Sequence, residues 1–235
     1  MIILYSGTPG SGKSLHMAER IFTNLFMGRP VIGNFEFNDN LIKFKRSNYQ
    51  YISNDNLNPQ YLKDYSIQYQ MEHGSVREGY LKLFIDEAQL LFNSRDYSRR
   101  DRKDWLSFFS LHRHFKYDIV LACQFDRMLD RQIRCLIEYE FIHRKLSNFG
   151  WRGVLLDLIM LGNMFCSVKM WYPMHEKVGS EFFRYKKKYS KCYDTFQLDF
   201  DNKSARPLLT DGGKGDTQPE TEEEQKEGGN EIPPI

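Results

Sequence analysis

The hydrophobic pattern changes period twice within the first 37 residues. Residues 2–5 form a β-branched and aromatic run that is typical of a buried strand. From Ser14 to Met27 apolar residues recur at helical spacing, and Gly28 follows where a helix end favours a left-handed residue. Residues 30–37 predict a second strand. A strand, a helix and a strand in this order predict a βαβ unit, and therefore a parallel sheet.

Further apolar runs predict elements of ordinary length. The predicted strands lie at residues 80–85, 118–124 and 136–142, and the predicted helices at 105–115 and 128–134. Asp104 stands where it would cap the first of these helices. Residues 38–80 are rich in Asn, Asp and Tyr, and we expect an irregular insert with a short helix between residues 57 and 71. The pattern predicts an α/β fold with a mostly parallel sheet flanked by helices.

Composition changes near residue 201 and divides the chain into a folded domain, residues 1–200, and a tail, residues 201–235. The tail is rich in Gly, Pro, Glu and Thr and carries nine acidic and four basic side chains. It lacks the apolar surface needed to fold, so a disordered acidic tail is predicted. The domain carries 29 basic and 22 acidic side chains, a net charge of +7. A basic body of this kind suits a polyanionic partner.

Cysteine spacing and hydropathy predict a cytoplasmic protein. The four cysteines show no C-x-x-C spacing, which indicates reduced thiols, and Met1 leads directly into the first predicted strand without a signal peptide. Residues 154–166 are the most apolar run, but they include Asp157 and Asn163 and fall short of the roughly twenty residues of a spanning helix. We therefore expect a buried or interfacial segment, with peripheral contact at the inner face of the cell membrane as an open alternative.

Residues 7–14 fit the phosphate-loop pattern G-x-x-x-x-G-K-[ST] between a predicted strand and a predicted helix. Glycines let backbone N–H groups approach phosphate oxygens, and the helix N-terminus adds partial positive charge. Lys13 is expected to contact the β- and γ-phosphates of ATP, and the Ser14 hydroxyl to bind Mg²⁺. The predicted nucleotide-binding residues are Gly7, Thr8, Pro9, Gly10, Ser11, Gly12, Lys13 and Ser14.

Two later strands end in polar residues suited to hydrolysis. Asp86 and Glu87 follow the strand at 80–85, and beside a phosphate loop Asp86 is expected to hold Mg²⁺ while Glu87 polarises the attacking water. A solvated strand end is the structural alternative for Glu87. Gln124 ends the next strand, where it would touch the γ-phosphate and the water, or serve only as a turn amide.

Basic residues supply two further hypotheses. Transition-state charge calls for an arginine, often from a neighbouring subunit. The candidates flank the strand that ends in Gln124; they are Arg113, Arg127, Arg131 and Arg134, of which Arg113 and Arg134 are taken as catalytic candidates. Residues 184–193 interleave basic side chains with tyrosines. They indicate a surface for nucleic acid or anionic membrane, or else an exposed basic strand with tyrosines packed beneath.

Several segments together resemble the N-terminal domain family of zonular occludens toxin (Zot), which includes the filamentous-phage assembly ATPase of inoviruses. The segments are residues 3–14, 31–35, 84–89, 112–124, 133–134 and 191–195. The phosphate loop alone is generic, whereas the Arg-His segment that leads into the strand ending in Gln124 is more specific. The resemblance covers about residues 1–200 and implies an additional-strand P-loop NTPase fold. By motif position it assigns Lys13, Ser14, Asp86, Glu87 and Gln124 to the nucleotide site.

The resemblance implies ATP-driven export of phage single-stranded DNA through the inner membrane, with phage assembly or membrane proteins as partners. We expect a homo-oligomeric ring in which one subunit's arginine reaches the next subunit's nucleotide. Typical family members carry a transmembrane helix and an exported segment after the ATPase domain, so no toxin-like activity is inferred for the acidic tail. The alternatives are an ATPase in DNA packaging or helicase-like remodelling, a non-hydrolysing nucleotide-dependent binding module, and, less favoured, a small-molecule kinase.

Overall fold

The computed structural model describes residues 1–96, 99–148, 151 and 164–193. Its strands are β1 (Ile2–Ser6), β2 (Val31–Gly33), β3 (Tyr49–Tyr51), β4 (Leu81–Ile85), β5 (Tyr117–Ala122), β6 (Tyr139–Lys145), β7 (Met164–Trp171) and β8 (Glu176–Arg184). Its helices are α1 (Lys13–Phe26), α2 (Pro59–His73), α3 (Arg102–Leu111), α4 (Arg131–Arg134) and α5 (Lys187–Ser190). No helix within these described ranges is long and apolar enough to cross a lipid bilayer.

The strands form one eight-stranded sheet in the order β3-β2-β4-β5-β1-β6-β7-β8. The pairs from β3 through β6 are parallel, and β7 and β8 are antiparallel to their neighbours. β5 lies between β1, which leads into the phosphate loop, and β4, which leads into Asp86. This insertion is the additional-strand arrangement and confirms the predicted fold class. Parallel pairing also brings the carboxyl ends of β1, β2, β4, β5 and β6 to one edge of the sheet, which we call the carboxyl edge.

Alternation along β1 feeds two hydrophobic clusters on opposite faces of the sheet. Ile2 and Leu4 pack with α2, α3 and α4, in a cluster that includes Trp105. Tyr5 packs on the other face with α1, in a cluster that includes Ile21. Burying each such side chain stabilises the fold by about 1.5–3 kcal/mol. Both faces of β1 are therefore fixed, and the loop that follows it is held in place.

Residues 38–80 are more regular than the sequence predicts. They contain β3, which extends the sheet beside β2, and the 15-residue helix α2. The Asn58 side chain caps α2 by accepting a hydrogen bond from the Tyr61 N–H at 2.9 Å, and Pro59 occupies its first turn. The expectation of an irregular insert is wrong because this start signal and the pairing of β3 outweigh the weak amphipathic pattern.

Three boundaries also differ from the sequence predictions. The helix expected at 105–115 begins at Arg102, so Asp101 rather than Asp104 occupies the capping position. The strand expected at 136–142 is shifted to Tyr139–Lys145. The basic segment is not a continuous strand, because β8 ends at Arg184 and α5 follows. Helical turns let Tyr189 and Cys192 bury against α1, where the Tyr189 ring lies 5.2 Å from that of Phe22. Residues 154–163 and 201–235 lie outside the described residues.

Candidate functional site

The phosphate loop connects β1 to α1 and passes too close to its neighbours for side chains at two glycines. A Cβ at Gly7 would lie 2.5 Å from the His143 carbonyl oxygen, and a Cβ at Gly12 would lie 2.7 Å from the Phe165 ring. Both glycines also have positive φ, 142° and 94°. The Gly7 N–H donates to the Gln124 carbonyl oxygen at 3.1 Å. The loop therefore has a conformation that only glycine adopts readily at these positions.

Lys13 lies inside the loop that it follows. Its Nζ donates to the carbonyl oxygens of Gly7 at 2.6 Å and Thr8 at 3.3 Å. Burial lowers the pKa of Lys13, while the charges of Glu87 and Asp86 act in the opposite direction. The Ser11 hydroxyl is buried nearby in the same loop and has no hydrogen-bond partner among the described residues. A buried cation and an unpaired hydroxyl in one loop fit a phosphate ligand.

Asp86 and Ser14 meet at the carboxyl edge. The Ser14 hydroxyl hydrogen-bonds the Asp86 carboxylate. Burial raises the pKa of Asp86 to about 6; the charge of Glu87 adds to this, while the Glu87 N–H, Lys13 and Ser14 oppose it. Carboxylate and hydroxyl oxygens are hard donors of the kind that Mg²⁺ prefers. The donor set therefore fits Mg²⁺, which Ser14 and Asp86 would hold.

Glu87 is placed by a strained turn directly after Asp86. Its backbone is left-handed, with φ 45° and ψ 47°, and its N–H donates to Asp86 Oδ1 at 2.9 Å. The Gln89 amide donates to Glu87 Oε2. A left-handed conformation in a residue with a side chain disfavours folding by about 1–3 kcal/mol and is concentrated at functional sites. The turn sets Glu87 beside the charges of Lys13 and Asp86, and the amide of Gln89 restrains its carboxylate.

Asn34 joins the site, although the sequence analysis did not assign it. Its Nδ2 donates to the Asp86 carbonyl oxygen at 2.8 Å, and its Oδ1 accepts from the Asp86 N–H at 2.6 Å. The same Nδ2 donates to Asn54 Oδ1 at 2.8 Å. Asn34 thereby continues the pairing of β2 with β4 beyond the end of the strand. The sequence signal was present, since Asn34 follows an apolar strand as Asp86 and Gln124 do.

A pair of buried histidines supports the loop from behind. His143 Nδ1 lies 2.8 Å from the Phe141 carbonyl oxygen, so it carries the proton and His143 Nε2 accepts from His16 Nδ1 at 2.8 Å. Burial lowers the pKa of His16 to about 2 and that of His143 to about 4. The pair is therefore neutral at neutral pH and ties the first turn of α1 to β6. The sequence analysis missed both residues, because their pairing spans 127 positions.

Gln124 lies next to the loop, and its side chain lines a cleft of about 450 Å³ between the ends of β1, β5 and β6. Thr8, Asp126 and Glu140 also line this cleft. The Ser6 hydroxyl donates to Glu140 at 2.5 Å, and burial raises the pKa of Glu140. Gln124 therefore stands at the predicted edge, and its catalytic role stays a prediction.

The two candidate arginines lie apart from the phosphate loop. Arg113 pairs with Glu138 at 3.0 Å, at the amino ends of the strands, where the Met1 amino group contacts Asp118. Arg134 lies on α4 with its Nη1 3.9 Å from Asp126, and its buried Nε has no partner within the described residues. Neither arginine joins Lys13 and Asp86 within one chain, so a catalytic role for either would have to be played in a neighbouring subunit.

The basic segment packs on α1. Lys186 pairs with Glu19 at 3.6 Å, and Lys188 Nζ lies 4.9 Å from the centre of the Phe22 ring. Tyr189 is buried beneath these lysines. Tyrosine packing, which the sequence analysis gave as one alternative, is thus present, but on a helix.

Comparisons with known proteins agree with this architecture. The family model described as zonular occludens toxin (Zot) matches residues 1–195. The structure resembles the N-terminal domain of zonular occludens toxin from Neisseria meningitidis, with a TM-score of 0.51, 18% identity, and coverage of 82% of this chain and 98% of that one. It also resembles the ATPase domain of a helicase, with a TM-score of 0.53, 10% identity, and coverage of 80% and 82%. No curated protein matches the sequence.

At these identities the two structures support the fold, whereas the family model spans most of the sequence. The match begins at the strand before the phosphate loop and includes Asp86, Gln124 and the basic segment. The site geometry agrees, since the loop, Ser14 and Asp86 meet at one edge of a sheet with an inserted strand. The chain is a P-loop NTPase that belongs to the zonular occludens toxin (Zot) family.

Proposed function

We propose that this protein is an ATP-hydrolysing motor of filamentous-phage assembly that couples hydrolysis to export of phage single-stranded DNA at the inner membrane. The observation that carries the proposal is the convergence of Lys13, Ser14 and Asp86 beside the strained turn of Glu87. Family membership supports the biological setting. The positive net charge of residues 1–200 supports a polyanionic partner.

The residues of this chain divide the work of hydrolysis. The loop N–H groups and Lys13 bind and orient the ATP phosphates, and Ser14 and Asp86 hold Mg²⁺. The bound ion supplies charge neutralisation at the phosphates. Glu87 orients and deprotonates the attacking water, and Asn34 keeps the Asp86 backbone in place beside it. Gln124 contacts the γ-phosphate or the water.

The finer assignments belong to the same proposal. Residues 1–200 form the ATPase domain and residues 201–235 a disordered acidic tail. The protein acts as a homo-oligomeric ring on the cytoplasmic side of the inner membrane, with phage assembly or membrane proteins as partners. An arginine of one subunit completes the next subunit's site, and Arg134 is favoured over Arg113 because its buried Nε has no partner within the described residues.

The test is ATP turnover by purified protein, with and without single-stranded DNA. We expect Glu87→Gln to bind ATP normally and to hydrolyse it at least about a hundredfold more slowly, as expected for loss of a general base. Glu72→Gln is the matched control, because Glu72 is an exposed residue of α2 that accepts from Gln68. Turnover by Glu87→Gln at the rate of the control would contradict the assignment. DNA-stimulated hydrolysis that needs no coat or membrane partner would favour packaging or helicase-like remodelling.

A second candidate is a nucleotide-dependent binding module without hydrolysis. The hydrogen bond from Gln89 to Glu87 favours it, because a carboxylate held by an amide is less free to orient water. Wild-type protein that binds ATP but does not turn it over, with or without DNA, would select this alternative. Turnover restored by Gln89→Ala would then identify that hydrogen bond as the restraint.

A further inference from the structure

A second cluster of basic side chains lies where α1 ends and β2 and β4 begin. Arg29, Arg46 and Arg77 line a cleft of about 430 Å³ together with Met27 and Val76. We call these three arginines, with the apolar residues Phe26, Met27 and Phe44 near them, the amino-edge surface. It lies at the amino ends of the parallel strands, opposite the phosphate loop.

The three arginines are not neutralised by carboxylates. None forms an ion pair within the described part of the chain. Arg29 donates to Asn24 Oδ1 at 3.4 Å, and the Arg46 guanidinium lies 5.9 Å from the centre of the Phe26 ring. Burial lowers the pKa of Lys82, and the charges of Arg29 and Arg77 add to this lowering. The cleft therefore has a positive field available to an anion.

The apolar members of this surface face solvent. Phe44 is 86% exposed, Met27 55% and Phe26 48%. Phe44 also has φ 62°, a left-handed conformation that disfavours folding for an aromatic residue. An exposed phenyl group held in a strained conformation has no stabilising role in the fold, which points to a contact outside this chain.

The surface is built on fixed backbone. The Arg46 N–H donates to the Leu25 carbonyl oxygen at 3.0 Å, at the end of α1. The Tyr80 hydroxyl donates to the Gly28 carbonyl oxygen at 3.0 Å and forms the floor of the cleft. Side chains on such a frame are positioned before a partner arrives, which favours binding.

We propose that the amino-edge surface docks on an anionic lipid bilayer, with the arginines against lipid phosphates and Phe44 and Met27 inserted among the headgroups. Apolar side chains beside arginines are the pattern of interfacial membrane binding. Nucleic acid is less well matched, because Met27 has no ring on which a base could stack and Arg46 lies over the Phe26 ring. The inference rests on the proposed function only for the identity of the membrane, and nucleotide is not required for docking.

The test is co-sedimentation of the full chain with vesicles of phosphatidylcholine alone and of phosphatidylcholine mixed equally with phosphatidylglycerol. We expect wild-type protein to bind the anionic vesicles, and binding to weaken as salt is raised. The variant R29S/R46S/R77S should bind at least about tenfold more weakly. K186S/K187S/K188S removes the same charge from the segment on α1 and should bind like wild type. A labelled single-stranded oligonucleotide is titrated in parallel.

Phe44→Gly keeps the proposal testable if the triple arginine variant folds poorly. Glycine adopts positive φ readily, so this variant should melt no lower than wild type and still bind anionic vesicles several-fold more weakly. Wild-type indifference to phosphatidylglycerol, equal losses in the arginine and lysine variants, or loss of oligonucleotide binding alone would each overturn the proposal. ATP turnover measured on the same samples separates this inference from the proposed function, since an inactive protein that still docks contradicts only the latter.

Discussion

The two edges of the sheet carry the same kinds of charged residue in opposite states. At the amino edge, Lys82 Nζ lies 2.7 Å from Asp118, which also contacts the Met1 amino group at 3.0 Å. At the carboxyl edge, Lys13 donates to backbone carbonyl oxygens, and the pKa of Asp86 is raised by burial. Burial would also raise the pKa of Asp118, but its bonds with Lys82 and the amino terminus outweigh burial and lower it.

This difference separates charges that hold the fold together from charges that await a ligand. Asp118 has two cationic partners within hydrogen-bond distance, so its ionised form stabilises the native state. Asp86 has a hydroxyl and a backbone N–H as its hydrogen-bond partners and a second carboxylate beside it. Its ionised form destabilises the free protein, and a bound cation would reverse that. Functional sites commonly combine such local instability with activity.

Exchanging the two lysines should give the largest contrast. Lys13→Ala removes the charge that complements the β- and γ-phosphates, so we expect turnover to fall by at least about a hundredfold with little change in melting temperature. Lys82→Met removes a structural partner instead and should destabilise the fold by about 1–3 kcal/mol while turnover stays near normal. Steady-state ATPase assays and thermal melts on both variants measure the contrast. Normal turnover in Lys13→Ala would leave the proposed site without its basis.

The two aspartates should respond to pH in opposite directions. The pKa of Asp86 is about 6 in the fold and near 3.8 when unfolded, so the native state binds the extra proton between these values and stability falls as pH rises through this range. Asp86→Asn should therefore stabilise nucleotide-free protein at pH 7 by up to about 3 kcal/mol, and the gain should fade toward pH 4. Asp118→Asn should destabilise at pH 7, because the pKa of Asp118 is lowered by its partners. Denaturant melts across this pH range would show both trends.

If Asp86→Asn melted below wild type at pH 7, the carboxylate would be compensated within the chain and the comparison of the two edges would fail. The same variant should lose Mg²⁺-dependent turnover, since an amide is a weaker ligand for a hard cation than a carboxylate. Stability gained together with activity lost is the signature expected of the carboxyl edge alone.

Asn34 allows a smaller test of the same edge. Asn34→Ala leaves the Asp86 N–H and carbonyl group without their side-chain partner, so Glu87 should be less well placed. We expect kcat to fall by about tenfold with KM for ATP nearly unchanged, because the phosphate loop is untouched. Asn56→Ala is the control, since this exposed asparagine bonds Ser53 away from the site. A rise in KM at constant kcat would instead assign Asn34 to nucleotide binding.

The sequence predicted the carboxyl edge better than the remainder of the molecule for a physical reason. A phosphate loop is local: its glycines and lysine lie within eight positions, and the strand and helix beside it have strong periodicity. Asn34, His16 and His143 act through contacts between distant segments, and no local pattern records those contacts. α5 was mistaken for strand because Tyr189 forms its helical turn by burial against α1.

Arg113 should give the smallest effect and sets the lower limit of the comparison. It is paired with Glu138 at 3.0 Å, and its side chain is 56% exposed, so the pair contributes about 0–1 kcal/mol to stability. Because it lies at the amino edge, Arg113→Ala should leave turnover per subunit unchanged. Arg134→Ala is the companion variant, and we expect it to reduce turnover in assembled protein while isolated subunits are unaffected. Turnover should be measured across protein concentration, with the oligomeric state followed by light scattering. A concentration-dependent loss in Arg113→Ala, and none in Arg134→Ala, would mean that subunits meet through the amino edge, and the separation of a structural edge from a catalytic one would not hold in the assembly.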